Sequence, residues 1–165
     1  MRVGITGHQR IDEPEGWRWV ADVMRNELAR MPGPLIGVTS LAVGADQLFA
    51  RLVRELNGTL YVVVPFGGIE RSFSPSDLTL YRELIVEATV EVLETAGTDE
   101  DAYLAAGKRV VELSEKMIAV WNGRPAKGKG GTADIVAYAA NRPVSLIHIN
   151  PVTRIVQTVP NSMEG

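Results

Sequence analysis

In this chain of 165 residues, the side chains best suited to chemistry are gathered just after short apolar runs. The longest group is Trp121-Asn122-Gly123-Arg124-Pro125-Ala126-Lys127-Gly128-Lys129-Gly130-Gly131-Thr132-Ala133-Asp134. It separates Met117–Val120, which reads as a buried strand, from Ile135–Ala140, which reads as a helix. The first turn of a helix carries unpaired N–H groups and a partial positive charge, and glycines let an anion approach that backbone with no Cβ in the way. Phosphate is the ligand such a loop suits; a tight connection holding nothing is the plain alternative. A second group, Gly7-His8-Gln9-Arg10, offers a guanidinium able to engage two phosphate oxygens at once. Its histidine either bonds a phosphate or moves a proton near neutral pH, or is a loop residue with a backbone partner. Ser40 and Gly44 form a third group. Ser40, His8 and Asp46 are hydrolase residue types, but their spacing predicts no hydrogen-bond chain and the nucleophile elbow is missing. Trp121 either stacks on a base or packs half-buried at a strand end.

Composition limits what these groups can belong to. A chain that is 45% hydrophobic and 22% charged fits one globular domain, residues 1–165, with an ordinary core. With no cysteine and two histidines, His8 and His148, no metal site is expected, and no cofactor is implied. The first strand starts directly after Met1, and no apolar run is long enough for a signal peptide or a membrane helix, so a cytoplasmic protein is expected. A net charge of −3 with scattered basic residues argues against a broad nucleic-acid surface. Self-association is left open.

The elements that must position these groups alternate. Arg2–Thr6 reads as a strand, and Pro14–Met31 as a helix with Trp17, Val20, Met24, Leu28 and Met31 on one face. Leu35–Thr39 is a strand delivering Ser40; Ala45–Leu56 is a helix; Leu60–Val64 is a β-branched run suited to a parallel strand covered on both faces. The loop Phe66–Pro75 is either a lid or simply a long connection. Ser76 or Asp77 caps a helix carrying Leu80, Leu84, Ile85 and Ala88, and a further helix runs from Asp99 to Ser114, so two helices in a row precede the fourth strand. Pro143–His148 supplies a fifth strand and Arg154–Val159 an edge strand. The expected architecture is α/β: a Rossmann-like three-layer sandwich around a mostly parallel sheet of about five to six strands. Ligands of such sheets sit outside the carboxyl ends of the strands where strand order reverses. That rim would collect Thr6, Gly7, His8, Arg10, Ser40, Gly44, Pro65–Arg71 and Trp121–Thr132. Neither the three-glycine dinucleotide signature nor the Walker lysine motif is present.

Taken in order, Gly4-Ile5-Thr6-Gly7-His8-Gln9-Arg10, Ser40-Leu41-Ala42-Val43-Gly44-Ala45-Asp46, Gly107-Lys108-Arg109 with Ser114, and Gly130-Gly131-Thr132-Ala133-Asp134 resemble the SLOG superfamily of Rossmann-like domains, which includes the SMF/DprA proteins and the LOG phosphoribohydrolases. The resemblance implies a pocket for a nucleotide or nucleotide-derived ligand, with Gly7, His8, Arg10, Ser40, Gly44, Gly130, Gly131 and Thr132 as binding residues. The LOG branch implies hydrolysis of the N-glycosidic bond of nucleoside 5′-monophosphates by a glutamate three residues after the Gly-Thr pair and a basic residue on the preceding helix. Ile135 occupies the glutamate position here. Asp134 and Arg109 are then the catalytic candidates, with Lys108 beside the basic position; Asp134 otherwise complements a helix dipole. The DprA branch implies a DNA-binding accessory domain, which asks for basic and aromatic residues along a groove that this composition does not offer. Nucleotide binding is the leading expectation, with a single-stranded DNA partner not expected.

Overall fold

In a computed structural model, residues 1–126 and 128–161 are described; Lys127 of the glycine-rich stretch and the last four residues lie outside them. The elements are β1 (Arg2–Gly7), α1 (Pro14–Ala29), β2 (Ile36–Thr39), α2 (Ala45–Glu55), β3 (Thr59–Val64), α3 (Pro75–Ile85), β4 (Thr89–Val92), α4 (Asp99–Leu113), β5 (Lys116–Val120), α5 (Thr132–Ala140), β6 (Ser145–Asn150) and β7 (Ile155–Val159). One seven-stranded sheet has the order β4-β3-β2-β1-β5-β6-β7. Every pair is parallel except β6 with β7.

Two expectations are corrected here. The sheet has seven strands rather than five to six, because Thr89–Val92 forms a parallel edge strand between α3 and α4, where two successive helices were expected. Its residues lack a covered face: Val90 and Val92 are 44% and 52% exposed, so the run carries little apolar signature. The α3 cap is Ser74 rather than Ser76 or Asp77. Its side chain accepts the Asp77 N–H, and Pro75 takes the first helical position, where a missing N–H costs nothing. The Phe66–Pro75 connection contains a short 3₁₀ turn, Ile69–Ser72, whose Ile69 is buried.

Apolar residues bury on both sides of the sheet, which is why β1, β2, β3 and β5 read as near-continuous hydrophobic runs. On one face, Val20, Met24 and Leu28 of α1, Phe49, Leu52 and Val53 of α2, and Tyr81 and Leu84 of α3 pack over Val3, Ile5, Val62, Ile118 and Ile147. On the other, Ala106 and Val110 of α4 and Ile135 and Ala139 of α5 pack over Val38, Val63, Met117 and Ala119. Phe49 is fully buried at the centre of α2, and its removal to alanine would cost about 3–5 kcal/mol. Sheet and helices approach closely where side chains are smallest: a Cβ on Gly37 would lie 2.9 Å from Val53 and 3.0 Å from Phe49. A Cβ on Gly7 would lie 2.6 Å from that of Ala45, so the start of α2 is seated against the end of β1.

Candidate functional site

Strand order reverses between β1 and β5: β2, β3 and β4 succeed β1 on one side, while β5, β6 and β7 lie on the other. The loops leaving the carboxyl ends of β1 and β5 therefore part to opposite faces, the place where open α/β sheets generally form a binding crevice. His8 holds its two walls together. Its backbone N–H donates to the Val120 carbonyl (3.0 Å), its carbonyl accepts from the Ala45 N–H (3.1 Å), and its Nε2 accepts from the Asn122 N–H (3.0 Å). An accepting Nε2 means a neutral ring, and half-burial lowers the His8 pKa below its ordinary 6.5, against a smaller opposing pull from Asn122. The imidazole is thus a structural tie with a backbone partner.

The loop after β2 is organised around an anion that the chain supplies itself. Asp46, in the first turn of α2, is buried, and its Oδ2 accepts from the Thr39 hydroxyl (3.1 Å) and the Ser40 N–H (3.2 Å), with a further backbone bond from Ala42. Burial pushes its carboxyl up to about 6 despite those donors. Leu41, fully buried with φ of 55°, donates its N–H to Thr39 Oγ1 (2.9 Å), and its carbonyl accepts from Gln47 Nε2 (3.2 Å). Gly44 closes the loop at φ 90°, where a Cβ would strike the His8 and Gln9 backbone. Gly44 so meets the β1 loop, but the Ser40 N–H and the other donors that could have cradled a phosphate beside α2 already hold Asp46. Ser40, His8 and Asp46 form no relay: Asp46 meets Ser40 through the backbone N–H alone, and the His8 ring accepts from Asn122.

The loop before α5 is different. Gly130, at φ 83°, rests on the first two turns of α4, where a Cβ would lie 2.9 Å from the Leu104 nitrogen. Its N–H donates to Asp134 Oδ2 (2.9 Å), and Lys129 Nζ pairs with Asp101 Oδ1 (2.7 Å), a contact that draws the Asp101 carboxyl down to about 2. Asp101 is also the capping-box partner of Thr98. Past this anchor, the N–H groups of Gly131, Thr132 and Ala133 have no hydrogen-bond partner among the described residues, and Gly131 makes no side-chain cap. Arg10, exposed in the neighbouring β1 loop, likewise has none. Open N–H groups at the start of a helix are the kind of donor that anions bind.

The other candidates fall as follows. Asp134 serves its own loop through Gly130. Arg109 sits on the flank of α4 beside the sheet edge, paired with Glu91 of β4 (3.1 Å) and Glu112 (3.6 Å). Lys108 lies over the Tyr138 ring. Ile135, where the resembling hydrolases carry glutamate, is 3% exposed and fills the space that Gly107 leaves free. Trp121 packs half-buried on His148 (5.3 Å between ring centroids), and its Nε1 donates to the Arg124 carbonyl. Asp46 as loop organiser and Lys129 as loop anchor were not read from the sequence; the only signal was an acid in a predicted first helical turn and a lysine between glycines. Among the described residues no cluster of His, Asp and Glu could hold a metal ion, and no helix is long and apolar enough to cross a membrane.

No protein-family model matches the chain, and no curated protein matches it. Solved structures do. DNA processing protein A (DprA) from Streptococcus pneumoniae superposes with a TM-score of 0.65 at 17% identity, over 89% of this chain and 49% of that one. DprA from Helicobacter pylori, whose structure is described by its single-stranded DNA binding mode, gives 0.62 at 16%, over 88% and 64%. TM1055, a structural-genomics target, gives 0.53 at 14%, over 87% and 71%. The chain spans about half to two thirds of the length of these DprA chains. The expectation against single-stranded DNA stands beside a neighbour whose description names that ligand. At these identities the likeness concerns architecture: the chain has an SLOG-like, Rossmann-type fold.

Proposed function

We propose that the chain binds a nucleotide through its phosphate, in the crevice between the ends of β1 and β5. The observation carrying this reading is the set of N–H groups at Gly131, Thr132 and Ala133 opening α5, which have no partner among the described residues, as Arg10 in the β1 loop has none. Gly7, Ser40, Gly44 and Gly130 act through the backbone, and His8 through both its backbone and its ring, fixing the loops that present those donors. Hydrolysis is not part of the reading, because Ile135 is core and Asp134 is turned to Gly130.

The test is calorimetry of nucleosides against their 5′-monophosphates. The monophosphate is expected to bind more tightly by roughly 1.5–3 kcal/mol, the scale of a hydrogen bond to a charged group. Thr132→Pro deletes one of the donors while leaving the helix intact: proline is favoured at the first helical position, and Gly131, at φ −69° and ψ 171°, already has the extended backbone that precedes proline. That variant should lose much of the phosphate preference, and Arg154→Ala, in the turn that joins β6 to β7, should keep it. Equal affinities for nucleoside and monophosphate in the wild type refute the reading.

The likeness to DprA favours a second reading, single-stranded DNA as the phosphate-bearing ligand. Fluorescence anisotropy at several salt concentrations separates the two. Tight oligonucleotide binding that weakens steeply with salt would select the DNA reading, since a polyanion releases many counterions and a single nucleotide few.

A further inference from the structure

All five residues of β7 are exposed, although the strand completes the sheet by pairing with β6. Ile155, Val156 and Val159 are 52%, 37% and 45% exposed. Alternate strand residues point to opposite faces, so Ile155 and Val159 lie on one face and Val156 on the other, and neither is buried. The outer side of an edge strand also presents unpaired N–H and C=O groups, which proteins commonly guard with charge, proline or a bulge. The opposite edge of this sheet is guarded in that way: β4 carries Glu91 and is flanked by Glu87 and Glu94. β7 has Arg154 before it and Pro160 after it, but from Ile155 to Val159 it carries neither a charge nor a proline.

We infer that β7 is the contact between two copies of this chain, joined antiparallel about a two-fold axis through Gln157, which merges two seven-stranded sheets into one. The sequence of the strand is complementary to itself in that register. Ile155 meets the partner's Val159, Val156 meets the partner's Thr158, and the Gln157 amide meets the partner's Gln157. Apolar side chains are thereby paired across the strands and no like charges are opposed, which is the requirement for an isologous contact. A chain of net charge −3 repels its own copy elsewhere, most of all along the acidic β4 edge, so a neutral strand is where two copies can meet. The self-complementary register selects a second copy over a charged partner.

The absence of cysteine gives a direct test. Residues directly opposed in an antiparallel pair have Cα atoms about 4.5–5.5 Å apart, within the roughly 4.4–6.8 Å that a disulfide spans. Gln157→Cys introduces the sole thiol of the chain on the two-fold axis, and mild oxidation is expected to convert it to a covalent dimer that reductant reverses. Val90→Cys, equally solvent-facing on β4, should crosslink far less. Light scattering behind size exclusion should show a dimeric wild type and a monomeric Ile155→Lys/Val159→Lys variant with unchanged circular dichroism. A wild type that is monomeric while Gln157→Cys crosslinks no better than Val90→Cys overturns the inference. So does a dimer that survives both β7 charges. Should the double variant fail to fold, the crosslinking comparison decides alone.

Discussion

Replacing Asp46 with asparagine separates what the buried carboxylate costs from what it holds. Its carboxyl has an ordinary value of 3.8 and is pushed to about 6 by burial in the first turn of α2. In the unfolded chain the group ionises first, so the native state is the one that keeps the proton. The contribution of this group to stability is therefore fully present below about pH 4 and is lost as pH rises through about 6. The interval between the two values corresponds to roughly 3 kcal/mol. Asparagine has no charge to bury, and its amide oxygen can still accept the Ser40 N–H; any hydrogen bond it fails to remake is a constant offset at every pH. Urea unfolding followed by circular dichroism, on wild type and Asp46→Asn side by side, should show the difference in unfolding free energy shifting by about 3 kcal/mol in favour of the variant between about pH 4 and pH 8. For a chain of this length, that is a relative rise in Tm of roughly 6–12 °C. Every other carboxylate is common to both proteins and cancels. Parallel stability curves across that range would refute the reasoning, because they would mean that Asp46 is hydrated or compensated in the fold.

Three further outcomes are expected. His8, with its pKa lowered by burial, should give an NMR titration midpoint below 6.5, and its contribution to stability should be full above that value and lost as pH falls; a midpoint at or above 6.5 would undo its role as a neutral acceptor for Asn122. Ile135→Glu restores the acid of the resembling hydrolases but buries a charge against Gly107, so thermal denaturation should show a loss of several kcal/mol and chromatography no free base from AMP or GMP; turnover with a native Tm would contradict the packing. Gly130→Ala forces a Cβ onto the Leu104 backbone at φ 83° and should cost about 1–2 kcal/mol or more in denaturant unfolding, whereas Gly67→Ala, with nothing within 4 Å, should be close to neutral.

Much of this architecture was legible because buried parallel strands leave an unambiguous trace: Leu60-Tyr61-Val62-Val63-Val64 and Met117-Ile118-Ala119-Val120 could hardly be anything else. β4 was missed for the converse reason, since a four-residue edge strand with exposed valines has neither alternation against a core nor a continuous apolar run. Alternation of elements foretold a parallel sheet, but not the position at which its order reverses, because that is decided by which helices cover which face. The loop glycines, read as making room for an anion, are used by the chain for its own contacts at Gly44 and Gly130. What could not be read was which donors remain open. That Asp46 fills one loop and Asp134 takes the Gly130 N–H depends on backbone turns at Leu41 and Gly130, and these are set by tertiary contacts rather than by local residue preference.

The reversal of strand order also governs when the crevice can come into being. His8 and Asn122, whose hydrogen bond ties its two walls, are 114 positions apart in the chain. At a translation rate of about 5–20 residues per second, the β1 loop waits roughly 6–23 s on the ribosome for the residues that complete it. During that interval β1 can pair with β2, and β2 with β3, yet the side of β1 that will receive β5 remains an open, apolar edge. Such high contact order favours slow closure and a nascent chain that depends on shielding. The junction of the β1 and β5 loops is accordingly a feature that the chain acquires late, when β5 adds to the open edge of an already half-built sheet.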